Sequence, residues 1–223
     1  LYDRGVRTQA ATLAPNGGRL LDVGCGGGQY LDKLAGLGLE PHGSEFSEDA
    51  ALPARRKGHT VHVGALEELE LPDGHFRVIR MNHVIEHVLN PVTTLEAAAR
   101  LLAPGGTVVI ETPNLDCPDF KILGRYWGAL HFPRHLHLFT PRTMRRAADR
   151  AGLGVARVKF TPMPTGWSLG LQNLLAGTVG VKIVKGRCAL YPFFMLGFLP
   201  LAALQMLAGA GTMMQIHLTK PER

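Results

Sequence analysis

The spacing of apolar positions along the chain alternates between the two common periods. Arg19–Val23 is a short apolar run that ends in glycines and predicts a buried strand. Tyr30, Leu31, Leu34, Leu37 and Leu39 then recur at helical spacing over Gln29–Leu39. Glu40–Glu45 predicts a second, weaker strand. Ser47 stands where an N-cap belongs, before a helix over Glu48–Lys57 with acids in its first turn; Pro53 weakens that helix or shifts its start. His59–Val63 and Phe76–Asn82 predict further strands. Asn90 and Pro91 open a helix that continues over Val92–Ala103, Pro104-Gly105-Gly106 predicts a turn, and Thr107–Thr112 is a β-branched strand. Thr140-Pro141 opens another helix, with Gly152 as its closing glycine. Val155–Phe160 and Met214–Thr219 predict the last two strands. Strands alternating with helices imply an α/β fold, with a parallel sheet covered by helices on both faces.

The segment 161–212 breaks this alternation. It is long, apolar and rich in Gly, Leu and Met, and it predicts a helical insertion; 1–160 and 213–223 then form the main domain. Phe160–Val181 carries no charged residue, and Cys188–Leu218 none apart from His217. Between them lie Lys182, Lys185 and Arg187. Each apolar stretch reaches the roughly 20 residues that a membrane span needs. A two-span hairpin, however, would carry the basic turn across the membrane, against the positive-inside tendency, and Pro192 and Pro200 interrupt the helices. The readings are an apolar cap or lid, a buried interface, peripheral contact of 161–212 with one membrane leaflet, the basic turn at anionic headgroups, and, disfavoured on these grounds, the hairpin.

Of 223 residues, 46% are hydrophobic and 19% charged, which allows a packed core and excludes global disorder. The net charge of +6 suits an anionic partner without choosing one. Cys25, Cys117 and Cys188 are odd in number and lack CxxC spacing, which argues against a disulfide framework and a cysteine zinc site. No metal is expected, and a reducing cytoplasm is the expected home. The chain opens at Leu1 with no basic n-region and apolar h-region, so no signal peptide is expected; the missing initiator Met leads us to expect further residues before it.

The strongest chemical signal is Asp22-x-Gly24-x-Gly26-x-Gly28, placed between a strand and a helix. Glycines there let a backbone approach a ligand closely. A dinucleotide fingerprint would need glycine at position 29, where the chain has Gln29. Alternate glycines behind an acid suit instead a cofactor with an amino-acid tail and a sulfonium, Asp22 facing the tail's ammonium. Glu45 ends the second strand, where a carboxylate can accept the two hydroxyls of a ribose. In open α/β sheets ligands sit at the carboxyl ends of strands, at the switch point.

Several stretches resemble one superfamily: Leu20–Gly28, Gly43–Ser47, Gly64–Glu67 ahead of Leu71–Phe76, Met81–Val88, Leu102–Thr107 and His135–Thr140. Together they are similar to class I S-adenosylmethionine-dependent methyltransferases, in the small-molecule branches that include quinone-pathway O-methyltransferases and bacterial glycan-modifying enzymes. The resemblance covers about Arg19–Phe160 and Gln215–Pro221. It implies a Rossmann-like, mostly parallel seven-stranded sheet with an antiparallel last strand, and S-adenosylmethionine as cofactor. It implies a small-molecule or lipid-linked acceptor, methylated at oxygen. It also implies that Asp22, Gly24, Cys25, Gly26, Gly28, Glu45, Phe46, Ala65, Leu66, Asn82 and His83 bind the cofactor. Arg77 stands where these families usually have Asp, away from the methyl group.

A hydroxyl acceptor benefits from a nearby base, and histidine is the natural one. His87, His135 and His137 are the catalytic candidates, with Glu86 and His131 beside them. No helix places His131, His135 and His137 on one face as a zinc site would need. Tyr126, Trp127 and Phe132 could stack on an aromatic acceptor or fill the core. The alternatives are an RNA-modifying methyltransferase, a nucleotide-cofactor oxidoreductase or epimerase, and a non-catalytic cofactor-binding protein. Nucleic acid is disfavoured: Asn82-His83-Val84-Ile85 stands where base-methylating enzymes carry an Asn/Asp-Pro-Pro-aromatic motif, and there is no long basic run. The expected location is cytoplasmic, extending to the inner face of the membrane; oligomeric state is not assigned.

Overall fold

The computed structural model describes residues 8, 12–34 and 36–220. The strands are β1 (Gly18–Val23), β2 (Leu39–Glu45), β3 (Thr60–Val63), β4 (Phe76–Asn82), β5 (Leu102–Pro113), β6 (Gly154–Thr161) and β7 (Met213–Thr219). They form one sheet in the order β3-β2-β1-β4-β5-β7-β6. β1 pairs in parallel with β2 and β4, and β2 with β3. β7 supplies the expected antiparallel strand. The helices are α1 (Gln29–Lys33), α2 (Glu48–Arg55), α3 (Pro91–Leu101), α4 (Pro118–Leu123), α5 (Pro141–Arg150), α6 (Thr165–Val179) and α7 (Tyr191–Leu207). The start of the chain, Ala35 and Pro221, on which parts of the sequence reading rest, lie outside the described residues.

The chain divides into two compact units. The first comprises described residues up to Ile110, Arg145–Arg157 and those from Ile216 onward. Its core is the apolar run of each central strand: Leu20 and Leu21 on β1, Ile79 and Met81 on β4, and Val108 and Ile110 on β5 are all fully buried. Parallel strands covered on both faces lose the in-out alternation, which explains their continuous apolar runs. Leu95, Ala98 and Leu101 of α3 are also fully buried. That helix starts where Asn90 Oδ1 accepts from the N–H groups of Val92 and Thr93, at 3.1 and 3.3 Å, with Pro91 in its first turn.

Three expectations are corrected here. α1 stops at Lys33, short of Leu39, because Gly36 and Gly38 take φ of 75° and 69° and turn the chain. α2 starts at Glu48 under Ser47 and runs through Pro53, so the proline does not displace its start. Pro104-Gly105-Gly106 is part of β5. Arg77 of β4 donates from Nη1 to the Pro104 carbonyl at 2.9 Å, and a Cβ on Gly106 would stand 2.8 Å from the Arg77 carbonyl. Close approach of β4 therefore draws the glycines into the strand.

The second unit comprises Glu111–Met144 and Val158–Gln215. Asp119 of α4 is fully buried and anchors it. Its Oδ2 accepts from Trp127 Nε1 at 2.7 Å and from Thr212 Oγ1 at 2.8 Å; its Oδ1 accepts from Gln205 Nε2 at 3.2 Å. Gln205 Oε1 accepts in turn from Trp167 Nε1 at 2.9 Å. α4, α6 and α7 are thus joined through one carboxylate. α7 is apolar all round, yet only Tyr191, Ala202 and Gln205 are buried. Phe193, Leu196, Leu204 and Leu207 are 71%, 72%, 63% and 76% exposed. No helix among the described residues is long and apolar enough to cross a membrane.

Asp119→Ala would leave the buried donors of Trp127, Thr212 and Gln205 without their acceptor. Each buried, unsatisfied polar group costs about 1–3 kcal/mol, so urea denaturation should show a loss of about 3 kcal/mol or more. A loss under about 1 kcal/mol would show that the network is not the anchor.

Candidate functional site

The glycine loop leaves the carboxyl end of β1 and is held by β2. The N–H groups of Gly24 and Cys25 both donate to the Ser44 carbonyl, at 2.8 and 3.2 Å. The Gly26 N–H donates to Glu45 Oε1. The bend closes with the Gly28 N–H on the Cys25 carbonyl at 3.0 Å. Gly24, Gly26 and Gly28 take φ of 70°, 53° and 73°. A Cβ on Gly24 would stand 2.9 Å from Val84 Cγ2, whereas a Cβ on Gly26 would meet nothing within 4 Å. The loop therefore turns backbone towards open space at Gly26. Gly28 precedes α1 directly.

Cys25 points inward beneath the loop, 6% exposed. A Cβ on Gly43 would stand 2.4 Å from its sulfur, so β2 needs a glycine there to seat it. Burial first, then the negative charges of Glu45 and Asp22, push its thiol up to about 11. Any part that Cys25 plays in cofactor binding falls to its backbone.

Asp22 is 2% exposed and stands opposite Arg80 in the β1–β4 register. Arg80 Nη1 donates to Asp22 Oδ1 at 2.6 Å. Burial raises the Asp22 carboxyl above its ordinary value, while the Arg80 charge and hydrogen bond oppose that rise. The Arg80 guanidinium lies over the Tyr30 ring, 3.9 Å from its centroid. Above the pair is a cavity of about 200 Å³ lined by Asp22, Gly24, Cys25, Gln29, Tyr30, Lys33, Arg80 and Asn82.

The remaining candidates lie outside that lining. His83 follows β4 with φ of 55°, and its Nδ1 is 3.1 Å from Oε1 of the fully buried Glu86. The His87 side chain is exposed, and its backbone N–H closes a turn on Val84 at 2.8 Å. Ala65 and Leu66 enter a 3₁₀ turn after β3, with Leu66 only 4% exposed. Phe46 follows Glu45 and is 81% exposed, so it joins no packed wall. His135 and His137 belong to the second unit. His135 Nδ1 is 2.9 Å from the Ala129 carbonyl. A carbonyl can only accept, so Nδ1 carries the proton. The His137 ring lies 6.1 Å from Phe139. Trp127 is core, Phe132 is exposed, and Tyr126 stacks under Arg125 with 4.9 Å from guanidinium carbon to ring centroid.

The structure therefore gathers Asp22, Gly24, Cys25 and Asn82 on one cavity and sets Glu45 against Gly26. Gln29, Tyr30, Lys33 and Arg80 share that wall and were not among the sequence candidates. Arg80 had a readable signal: a lone arginine inside the apolar strand Val78-Ile79-Arg80-Met81.

Residues 2–158 match the family described as a methyltransferase domain. The chain belongs to the class I S-adenosylmethionine-dependent methyltransferases. The ubiquinone biosynthesis O-methyltransferase of Cereibacter sphaeroides is 32% identical, the match covering 79% of this chain and 78% of that one. The enzyme of the same name from Aromatoleum aromaticum is also 32% identical, over 69% and 73%. A solved S-adenosylmethionine-dependent methyltransferase from Archaeoglobus fulgidus superimposes with a TM-score of 0.64 at 18% identity, covering 98% of this chain and 94% of that one. Phosphoethanolamine N-methyltransferase 2 of Haemonchus contortus, solved with S-adenosylmethionine, gives 0.64 at 20% identity, over 98% and 53%. At such identities the structural likeness speaks for the fold. The cofactor of this methyltransferase is S-adenosylmethionine, and the open bend at Gly26 between carboxylates on β1 and β2 fits it.

The Cys25 thiol should resist alkylation. Its proton is held more tightly than in an unfolded chain, so thiolate is scarce at pH 7–8 and grows only as pH climbs towards about 11. Iodoacetamide at pH 7.5, followed by peptide mass analysis, should leave Cys25 unmodified in the native protein and label it in urea. Rapid native labelling would contradict this account of the loop's underside.

Proposed function

We propose that this methyltransferase transfers its methyl group to an oxygen on a small aromatic acceptor that carries an apolar, lipid-like tail. The observation that carries the reading is identity of 32% over 79% of the chain with enzymes named ubiquinone biosynthesis O-methyltransferases. The exposed apolar face of α7 supports it, because an enzyme for a lipid-linked acceptor needs an apolar surface near its supply.

Bound S-adenosylmethionine supplies the activated methyl carbon. The chain's part is to hold and align. Asp22 takes the ammonium end and Glu45 the ribose hydroxyls. Gly24, Cys25, Gly26 and Gly28 present backbone to the ligand, and Phe46, Ala65, Leu66, Asn82 and His83 complete the surround. His87, His135 and His137 are the candidates for accepting the acceptor's hydroxyl proton. His135 has its ring held by the Nδ1 hydrogen bond to the Ala129 carbonyl. In this reading 161–212 is a cap over the acceptor, carried by 1–160 and 213–223. Its exposed Lys182, Lys185 and Arg187 meet anionic headgroups at the inner face of the membrane while α7 lies against the leaflet.

Two measurements test this. With S-adenosylmethionine and a prenylated catechol, turnover should be seen. His135→Ala should lower kcat by about two to four powers of ten while leaving S-adenosylhomocysteine affinity unchanged. Glu45→Ala should do the reverse, weakening that affinity by about tenfold or more in calorimetry. Unaltered kcat in the first variant would remove His135 from the reaction.

Flotation with vesicles tests the surface. The protein should rise with vesicles containing phosphatidylglycerol and far less with phosphatidylcholine alone, and replacing Lys182, Lys185 and Arg187 by Glu should abolish the difference. Equal behaviour on both vesicles would refute the headgroup contact.

A further inference from the structure

We propose that Arg80 is the residue that recognises the α-carboxylate of the cofactor, so that Asp22 and Arg80 together form a built counterpart to its zwitterionic amino-acid end. The inference rests on the cofactor assignment above and goes beyond it by naming a group that the glycine-loop pattern does not contain.

The β1–β4 register places Arg80 opposite Asp22 at the carboxyl end of the two strands. Its side chain is 17% exposed and lines the cavity above the loop. A guanidinium keeps its charge at all ordinary pH and offers five N–H donors. Among the described residues it has one hydrogen bond, from Nη1 to Asp22 Oδ1 at 2.6 Å. The Tyr30 ring, 3.9 Å from Cζ, covers one face and fixes the plane of the fork. A charged group so largely removed from water, with most of its donors uncommitted beside a cavity, is ready for an anion.

The shape of that anion follows from the pair. Asp22 and Arg80 cancel each other, so they offer little net attraction to a simple cation or anion. They suit a ligand carrying both charges on one carbon: an ammonium for the carboxylate oxygens of Asp22 and a carboxylate for the planar fork of Arg80. A purely structural ion pair would be weak support for the fold, since desolvation offsets most of its attraction.

The test is calorimetry with three nucleosides: S-adenosylhomocysteine, its decarboxylated analogue, and 5′-methylthioadenosine, which lacks the whole amino-acid end. The wild-type protein should bind S-adenosylhomocysteine about ten- to a hundredfold more tightly than the decarboxylated analogue. Arg80→Met should bring that ratio close to one while 5′-methylthioadenosine affinity changes by less than about threefold. Arg80→Lys, which keeps the charge beside Asp22, covers the case in which Arg80→Met fails to fold; it should lower the ratio because a point charge replaces a fork. An undiminished ratio in either variant overturns the proposal, as does equal weakening of all three ligands. Wild-type protein that binds none of the three would instead sink the cofactor assignment itself.

Discussion

The site depends on the amides of one bend being held by one neighbouring strand. Ser44 and Glu45, the last two residues of β2, take the N–H groups of Gly24, Cys25 and Gly26. Without them those donors would turn towards whatever was available, and the loop would have no fixed shape. With them, the positive φ values become a rigid curve whose open side lies at Gly26. The same contact puts the Glu45 carboxylate at the mouth of the bend. Parallel pairing of β1 with β2 therefore acts at once as fold and as site: a slip of one residue would turn Glu45 to the other face and leave the bend unheld.

The two carboxylates on these strands are kept in different conditions. Asp22 is deep in the protein, and the Arg80 guanidinium offsets the cost of a buried negative charge there. Glu45 is half-buried and spends one oxygen on the loop. Under the proposed assignment, a ligand meeting both would find a charge-compensated floor at one end and an acceptor of neutral hydroxyls at the other, a polarity that would give it one orientation.

Much of this was legible in the residues. The strand runs, the glycine loop and the acid closing β2 are local patterns, and local hydrogen bonding realises them. The capping of α2 and α3 was readable at Ser47 and Asn90 for the same reason. What escaped was non-local. The wrapping of β5 around Arg77 depends on a contact across strands, and the predicted turn at Pro104-Gly105-Gly106 could not foresee it. Arg80 escaped because its meaning depends on register: only pairing with β1 brings it to Asp22. Periodicity also could not say that the Leu66 side chain packs inside.

The second unit shows how a helix without polarity acquires a direction. α7 is apolar around its whole circumference, so hydrophobic burial alone does not choose which face turns inward. The choice falls to Gln205, whose amide must reach both Asp119 and Trp167 Nε1. Only one rotation of the helix satisfies both, because a buried amide left unbonded is costly. That rotation also stacks Phe198 on Trp167, with ring centroids 5.6 Å apart. The residues on the far side, Phe193, Leu196, Leu204 and Leu207, are then turned outward by the same bonds. The exposed apolar face is thus the necessary other side of a buried polar anchor. Its orientation is as firmly specified as that of the core, which is the condition for it to meet a partner surface in one pose.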